Sequence, residues 1–335
     1  MDGMATVTMG LRARRMRRGG MAGALLAAVT AGALMAGCTV NGDGDDGRGS
    51  ERPQEHGDGQ ASEGPTGSVL AVKIDNVGAA RPQTGLDAAD VVYAEQVEGG
   101  LSRLMAVYAT KLPEVVGPVR SARESDLELL RQFDEPTLAF SGAQSKLLPL
   151  IDKAPLKAQT PEDADGAYYR GTDKAAPHNL YLRPERLIGS APGEDALTTG
   201  FHYGAVPTGG SAEDSRTVRY PAARFTFTWS EDRDRWLVSM DGTPTVTTDG
   251  TRVGAATVVV QYVTIRKSQF RDFLGNNTPY TQTVGSGRAE VLRDGRSFDA
   301  EWKRSDAADG TEFTTADGKP MNFAKGQVWV LYAKA

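Results

Sequence analysis

The stretch DVVYAEQVEGGLSRLMAVYA, residues 90–109, contains two strand-like runs separated by a pair of glycines. Residues 90–98 are rich in β-branched and aromatic side chains, which favour strands, and residues 101–109 form a second, largely apolar run. Gly99 and Gly100 are typical of a tight turn, because glycine accepts the left-handed backbone conformation that such turns require. The stretch therefore predicts an antiparallel hairpin.

Strands and helices mix on both sides of this hairpin. Leucines recur at helical spacing after Ser125, and Ser125 with Glu128 has the pattern of a capping box, which marks the start of a helix. Such a mixture predicts an N-terminal mixed α/β domain over residues 68–206. The predicted strands are 68–75 and 137–140, and the predicted helices are 127–133 and 141–153.

The second half of the chain has an almost entirely β pattern. RFTFTW at residues 224–229 alternates apolar and polar positions, and TVVVQYVTI at 257–265 is the continuous β-branched run of a central strand. Asp294-Gly295 is a strong hairpin signal. We predict a smaller β-rich domain, sandwich-like or roll-like, over residues 215–335, so that the fold class is α+β.

The first 37 residues have the layout of a secretory signal peptide. An apolar run at residues 21–36 is short for a membrane span and ends in small residues. Cys38 follows directly, as in a bacterial lipobox, and is the only cysteine of the chain. We expect residues 1–37 to be removed and Cys38 to carry lipid; a free thiol in a cleaved leader is the alternative. The basic residues before the apolar run are Arg12, Arg14, Arg15, Arg17 and Arg18.

Residues 38–67 are predicted to be a disordered, acidic tether. Residues 39–67 include eight glycines and seven acidic residues and almost nothing apolar, so they cannot bury enough surface to fold. Lipid on Cys38 would anchor the protein without spanning the bilayer. The sequence therefore predicts a location on the outer face of the cytoplasmic membrane, with the membrane as one partner.

The charge balance excludes a general nucleic-acid binder. Removal of residues 1–37 leaves 33 basic and 42 acidic residues, a net charge of −9. Proteins that bind nucleic acid are usually basic. No phosphate-loop, dinucleotide or zinc motif is present, so we expect no cofactor and no metal.

Two arginines lie in GPVRSARESD, residues 117–126, where a strand is predicted to give way to a helix. Arg120 and Arg123, with Arg103 from the neighbouring strand, are suited to bind phosphate or carboxylate. The alternative is a structural network of ion pairs, because buried carboxylates need basic partners. Sequence alone leaves both interpretations open. The carboxylates of that network would be Asp75, Glu95 and Glu98.

Two further polar groups are candidates for the same site. Asp75-Asn76 at a strand end and Arg81 after it form one group, although Asp and Asn are also common turn residues. His178-Asn179 forms the other, in which Asn179 is expected to orient the ring. His178 is either a general base or a histidine with a structural hydrogen bond.

Several distinctive segments occur in one order along residues 68–333. They include AVKIDN (71–76), ARPQ (80–83), EGGLSR (98–103), VGPVRSAR (116–123), APHNLY (176–181) and VVVQYV (258–263). Together these segments resemble the YerB-like lipoproteins. One departure is Leu101-Ser102, where relatives are expected to have Ile-Thr. The resemblance implies a two-domain exported lipoprotein of Gram-positive bacteria, and it implies no mechanism, because the family's domains are domains of unknown function.

Two functions from different classes follow. The first is a membrane-anchored binding or accessory protein of the cell envelope, whose arginines hold an anionic envelope polymer or an envelope protein. The alternative is an envelope enzyme that acts on a phosphate ester or a phospho-linked polymer, with His178 as the candidate base. Convergence of the candidate residues in one cleft would favour the enzyme, and separate ion pairs would favour binding.

Overall fold

The computed structural model describes residues 67–272 and 274–335. The predicted signal peptide, Cys38 and the tether as far as residue 66 lie outside the described residues. Among the residues described, no helix is both long enough and apolar enough to cross a membrane.

The described chain is built mainly of strands. The α-helices are α1 (Glu124–Leu130), α2 (Leu148–Ile151) and α3 (Glu185–Ile188). The strands are β1 (Leu70–Asp75), β2 (Val91–Gln96), β3 (Ser102–Tyr108), β4 (Thr137–Ala139), β5 (Lys157–Gln159), β6 (Tyr168–Arg170), β7 (Leu180–Leu182), β8 (Ser211–Ala212), β9 (Ser215–Tyr220), β10 (Ala223–Ser230), β11 (Arg235–Met240), β12 (Thr243–Pro244), β13 (Gly254–Ala255), β14 (Thr257–Val263), β15 (Ile265–Arg271), β16 (Asn277–Thr281), β17 (Gly285–Arg293), β18 (Arg296–Arg304), β19 (Glu312–Thr315) and β20 (Val328–Lys334).

The predicted hairpin lies at the centre of the main sheet. β2 and β3 pair antiparallel, with Val91 opposite Val107 and Glu95 opposite Arg103. This confirms the hairpin expected from residues 90–109. The sheet has 11 strands in the order β19-β18-β17-β14-β20-β2-β3-β1-β4-β5, with β8 paired to β18.

The two halves of the sequence share this sheet. The last strand, β20, runs parallel to β2 on one side and parallel to β14 on the other. β14 is therefore a central strand, as its continuous β-branched run predicted. The Asp294-Gly295 hairpin is also confirmed, because it joins the antiparallel strands β17 and β18.

Both faces of the main sheet are covered. On one face lies a second sheet of five strands, ordered β12-β11-β10-β9 with β13 on β11. Its inward side chains Phe225, Phe227 and Trp236 pack in one core with Trp329 of β20. The other face packs against α1 through Leu129 and the segments that follow it. The alternation in RFTFTW thus buries Phe225 and Phe227, whereas Trp229 is only partly buried.

The fold is β-rich, and the expectation of a mixed α/β N-terminal domain is corrected. α1 has seven residues, and α2 and α3 have four each. The helix predicted over 141–153 is reduced to α2, because residues 141–146 are small or polar and supply no apolar stripe that would pack a longer helix.

The predicted capping box of α1 is wrong. The Asp126 carboxylate accepts a hydrogen bond from the backbone N–H of Arg123 at 2.6 Å and caps the helix. Ser125 accepts instead from the backbone N–H of Thr281 at 2.9 Å, and Glu128 accepts from that of Thr283 at 2.7 Å. Contacts with a segment 155 or more residues away therefore override the local pattern.

We expect Trp329→Ala to destabilise the whole fold. Trp329 is fully buried in the strand that joins the two halves, and loss of a buried aromatic side chain costs about 3–5 kcal/mol. The measurement is urea unfolding of both proteins. Leu274→Ala is the control, because that side chain is 71% exposed and should change stability little. Equal stability of the two variants would contradict the assignment of Trp329 to the core.

Candidate functional site

Three candidate residues lie side by side at one end of the central strands. Asp75 ends β1, Arg103 lies in β3 and Glu95 in β2. Arg103 is directly opposite Asp75 in one strand pair and opposite Glu95 in the other. Side chains of directly opposed residues point to the same face of a sheet, so the three belong to one face.

The GPVRSARESD segment is held against this face by its backbone. The N–H of Arg120 donates to the carbonyl of Lys73 at 2.7 Å, and the N–H of Val119 donates to that of Leu180 at 2.7 Å. Gly117 is required here by close approach, because a Cβ would lie 2.8 Å from the Tyr181 ring. These contacts place Arg120 between β1 and the segment that carries His178.

Asp75 is the centre of the site. Its carboxylate is 3% exposed, and Oδ2 lies 2.8 Å from His178 Nδ1 and 3.2 Å from Arg120 Nε. The Arg120 side chain remains 25% exposed and that of His178 22%. In the described part of the chain, neither the terminal nitrogens of Arg120 nor Nε2 of His178 has a protein partner. The site therefore presents free hydrogen-bonding groups to solvent.

Asn179, expected to orient the histidine, has a different role. Its side chain accepts from Arg170 Nη1 and donates to the Gly171 carbonyl, both at 2.8 Å. The ring of His178 is held by Asp75 instead, a residue 103 positions earlier. Because the two residues are so far apart in the sequence, the sequence pattern around His178 gives no indication that Asp75 is its partner.

Arg123 is part of a structural ion pair. Its Nε and Nη2 donate to the two oxygens of Glu98 at 2.7 and 2.8 Å, and Nη1 donates to the Ala122 carbonyl at 2.9 Å. Thr278 donates to the same Glu98 carboxylate at 2.6 Å. These contacts engage Nε and both terminal nitrogens of the guanidinium group and favour the network interpretation for this residue.

Arg103 lies between these two groups. It is half-buried, and its Nη1 donates to the Ser121 carbonyl at 3.0 Å. Burial, followed by the charge of Arg123, lowers the pKa of its guanidinium to about 10. The charge of Arg120 acts in the same direction, and the charges of Glu98 and Asp75 oppose it.

A buried ionic cluster lies beneath the site. Lys73 Nζ is 3.1 Å from Glu95 and 2.6 Å from Asp126, and none of the three side chains is more than 2% exposed. Burial raises the pKa of Glu95 to about 7, against the opposing charge of Lys73. Sequence reasoning missed Lys73 and Asp126. The lysine within the otherwise apolar run LAVKI could have indicated the cluster, because a buried lysine requires carboxylate partners.

Asn76 and Arg81 form a hydrogen-bonded turn beside the site. Arg81 Nη2 donates to the Asn76 carbonyl at 2.7 Å, and Asn76 Nδ2 donates to Ser102 at 2.9 Å. Arg81 Nη1 also contacts the carboxylate of Asp241 at 2.9 Å. The cluster thus connects the end of β1 to the second sheet.

A cleft of about 440 Å³ borders the Glu98–Arg123 ion pair, and Asp75, Arg120 and His178 are not among the residues that line it. Its wall includes Ser121, Arg123 and Leu147 on one side and Phe270 and Arg271 on the other. Within residues 67–272 and 274–335, no three His, Cys, Asp or Glu side chains are grouped to hold a metal ion.

Comparison with known proteins identifies the family. The family model "Protein of unknown function (DUF3048) N-terminal domain" matches residues 57–197, and the model for the C-terminal domain of the same family matches residues 216–330. "Putative lipoprotein YerB" of Bacillus subtilis (strain 168) is 24% identical over 278 residues, which cover 78% of this chain and 80% of that protein. The chain belongs to the YerB-like family.

A solved structure shows the same fold. The crystal structure of YerB from Bacillus subtilis superposes with a TM-score of 0.66 at 20% identity, covering 81% of this chain and 92% of that one. The resemblance read from the sequence segments is therefore confirmed. The lipoprotein description of YerB agrees with an anchored location in the envelope.

We expect Arg123→Gln to destabilise the protein by about 3–5 kcal/mol at pH 7, because it leaves the Glu98 carboxylate buried without its partner. Burial alone would raise the pKa of Glu98, but the hydrogen bonds and charge of Arg123 outweigh it and lower that pKa. The stability that the pair contributes is present above the unfolded-state pKa, about 4.3, and is lost as the pH falls below it.

Urea unfolding at pH 7 and near pH 3 measures this effect. The difference between the wild type and Arg123→Gln should shrink at the lower pH. Arg131→Gln is the matched control, because its ion pair with Asp306 is exposed and 3.9 Å long. A difference that is independent of pH would show that packing, and not charge, is the contribution of Arg123.

Glu95→Gln should change the pH dependence of stability in the opposite sense. Because the pKa of Glu95 is raised in the folded protein, the native state keeps a proton that the unfolded chain has lost. The wild type should therefore lose stability as the pH rises from about 4 to about 7, and the non-titrating variant should lose less. The free energy of unfolding of both proteins, measured across this pH range, tests the prediction. The control is Glu301→Gln, because that side chain is exposed. If the wild type and Glu95→Gln lost stability equally with rising pH, the raised pKa of Glu95 would be refuted.

Proposed function

We propose that this protein is a lipid-anchored binding protein of the cell envelope that holds an anionic group at Arg120 and His178, which Asp75 positions. One observation carries the proposal: Arg120 Nε lies 3.2 Å from Asp75, and among the described residues no nitrogen of this guanidinium group is hydrogen-bonded to a protein atom. A planar guanidinium fork binds phosphate and carboxylate well.

The surroundings of Arg120 favour an anion. Burial lowers the pKa of Arg103, and the charges of the nearby Arg123 and Arg120 lower it further. Glu95, the carboxylate opposite Arg103 in the sheet, is paired with Lys73 at 3.1 Å and makes no ion pair with Arg103. Arg123 supports the site as a structural ion pair and is not a ligand contact in this proposal.

The location and the partner complete the proposal. Residues 1–37 are the signal peptide, Cys38 carries the lipid, and residues 38–67 are the tether that holds the first half (68–206) and the second half (215–335) off the outer face of the cytoplasmic membrane. The lipoprotein description of YerB supports the anchor. The ligand class is an anionic envelope polymer or the anionic group of an envelope protein, and nucleic acid is excluded by the acidic charge.

Calorimetric titration of the full chain in detergent with glycerol 1-phosphate tests this function. The wild type should bind, and Arg120→Gln should bind about tenfold more weakly or worse, because a hydrogen bond to a charged group contributes about 1.5–3 kcal/mol. Arg186→Gln is the matched control, since this exposed arginine lies in α3, outside the site. Equal binding by wild type and Arg120→Gln would reject the site.

A further inference from the structure

The contact between His178 and Asp75 fixes the state of the imidazole ring. An ionised carboxylate only accepts hydrogen bonds, so Nδ1 of His178 donates to Asp75 across 2.8 Å. In the neutral ring this leaves the lone pair on Nε2. A buried carboxylate that holds a histidine in this tautomer is the arrangement by which enzymes prepare a general base.

Arg120 lies next to this base. Its Nε and the Nδ1 of His178 contact the same oxygen of Asp75, at 3.2 and 2.8 Å, so the two nitrogens are separated by at most about 6 Å. Both side chains are partly exposed. A phosphate on the free nitrogens of Arg120 would therefore lie within reach of a group that is hydrogen-bonded to Nε2.

We propose that His178 is a general base that activates a hydroxyl group for attack on a phosphate diester held by Arg120. The inference rests on the proposed function, because Arg120 must hold the phosphate. In the described part of the chain, no serine, threonine or cysteine side chain is hydrogen-bonded to the ring of His178, whose hydrogen-bond partner is Asp75. The nucleophile is therefore a hydroxyl of the substrate itself or a water molecule.

The reaction balances without a further reactant. The hydroxyl gives its proton to Nε2 of His178 as its oxygen forms a bond to phosphorus, and the bond from phosphorus to the leaving oxygen breaks. The imidazolium ion then returns the proton to the leaving alkoxide. A substrate hydroxyl gives a cyclic phosphate and an alcohol, whereas water gives a phosphate monoester and an alcohol. Asp75 stabilises the imidazolium, and Arg120 balances charge on the phosphoryl oxygens.

A purely structural role for His178 explains less. The loop before β7 is already fastened by Asn179, which bonds to Arg170 and Gly171, and by Tyr181, which donates to Asp173 at 2.6 Å. A structural hydrogen bond does not require an accessible Nε2 beside a guanidinium group with free nitrogens. A substrate site requires such accessible groups, and Arg120 and His178 are both partly exposed.

The test uses the full chain and two chromogenic diesters. 2-Hydroxypropyl 4-nitrophenyl phosphate carries its own hydroxyl, and bis(4-nitrophenyl) phosphate requires water. We expect release of 4-nitrophenolate from the first, and His178→Asn should lower kcat roughly 100-fold or more while KM changes little. His202→Asn is the matched control, because this histidine lies outside the site, beside the aromatic cluster of Tyr203 and Phe323.

The outcomes separate the two proposals. Release from the first diester alone assigns the nucleophile to the substrate, and release from both assigns it to water; either supports the inference. If the wild type binds glycerol 1-phosphate through Arg120 but releases nothing from either diester above the His178→Asn background, the base is refuted and the binding function stands. If it neither binds nor cleaves, both are refuted.

A measurement on the wild type alone avoids dependence on a variant that fails to fold. Long-range ¹⁵N–¹H spectra of the imidazole rings distinguish the two neutral tautomers. We expect the proton of His178 on Nδ1, facing Asp75. A proton on Nε2 would overturn the inference whatever the kinetics, because that nitrogen would have no lone pair to accept a proton.

Discussion

The structure depends on the burial of two charged side chains in one central strand. Lys73 and Asp75 lie in β1 and are almost completely inaccessible to solvent. Charges removed from water must be paired, and leaving one unpaired costs several kcal/mol. Lys73 therefore requires Asp126 of α1 and Glu95 of β2, and Asp75 requires Arg120 and His178. These partners hold α1, the GPVRSARESD segment and the loop before β7 against the same face of the sheet.

The degree of pairing distinguishes structural groups from candidate ligand contacts. Lys73 and Arg123 have their donors directed at carboxylates or carbonyls inside the protein. Arg120 and His178 each use one nitrogen on Asp75 and leave the others free among the described residues. The buried Asp75 carboxylate holds one edge of the Arg120 guanidinium group and one edge of the His178 ring, and it leaves the opposite edges open. Such positioning is what a binding or catalytic site requires of its support.

The sequence predicted those features that are set by neighbouring residues. The β2–β3 hairpin follows from Gly99-Gly100, and the central position of β14 follows from its continuous β-branched run. The capping of α1 and the partner of His178 were missed, because both are set by residues distant in the chain. Ser125 has a good local pattern for a cap, but its hydroxyl is used by Thr281, 156 positions away. Local pattern fixes secondary structure only where no tertiary contact competes for the same atoms.

The second half of the chain supports the site but supplies none of the residues proposed to contact the ligand. Thr278 donates to Glu98, the partner of Arg123, and Asp241 binds Arg81 beside the end of β1. β20 lies parallel to β2 and places the second half in the same sheet as the site. Because these contacts orient residues that belong to the first half, the geometry around Asp75 depends on both halves folding together. This gives a physical reason why the N-terminal and C-terminal domains of the family occur together in one chain. The first half supplies the charged groups, and the second half completes the packing that keeps those groups buried and fixed.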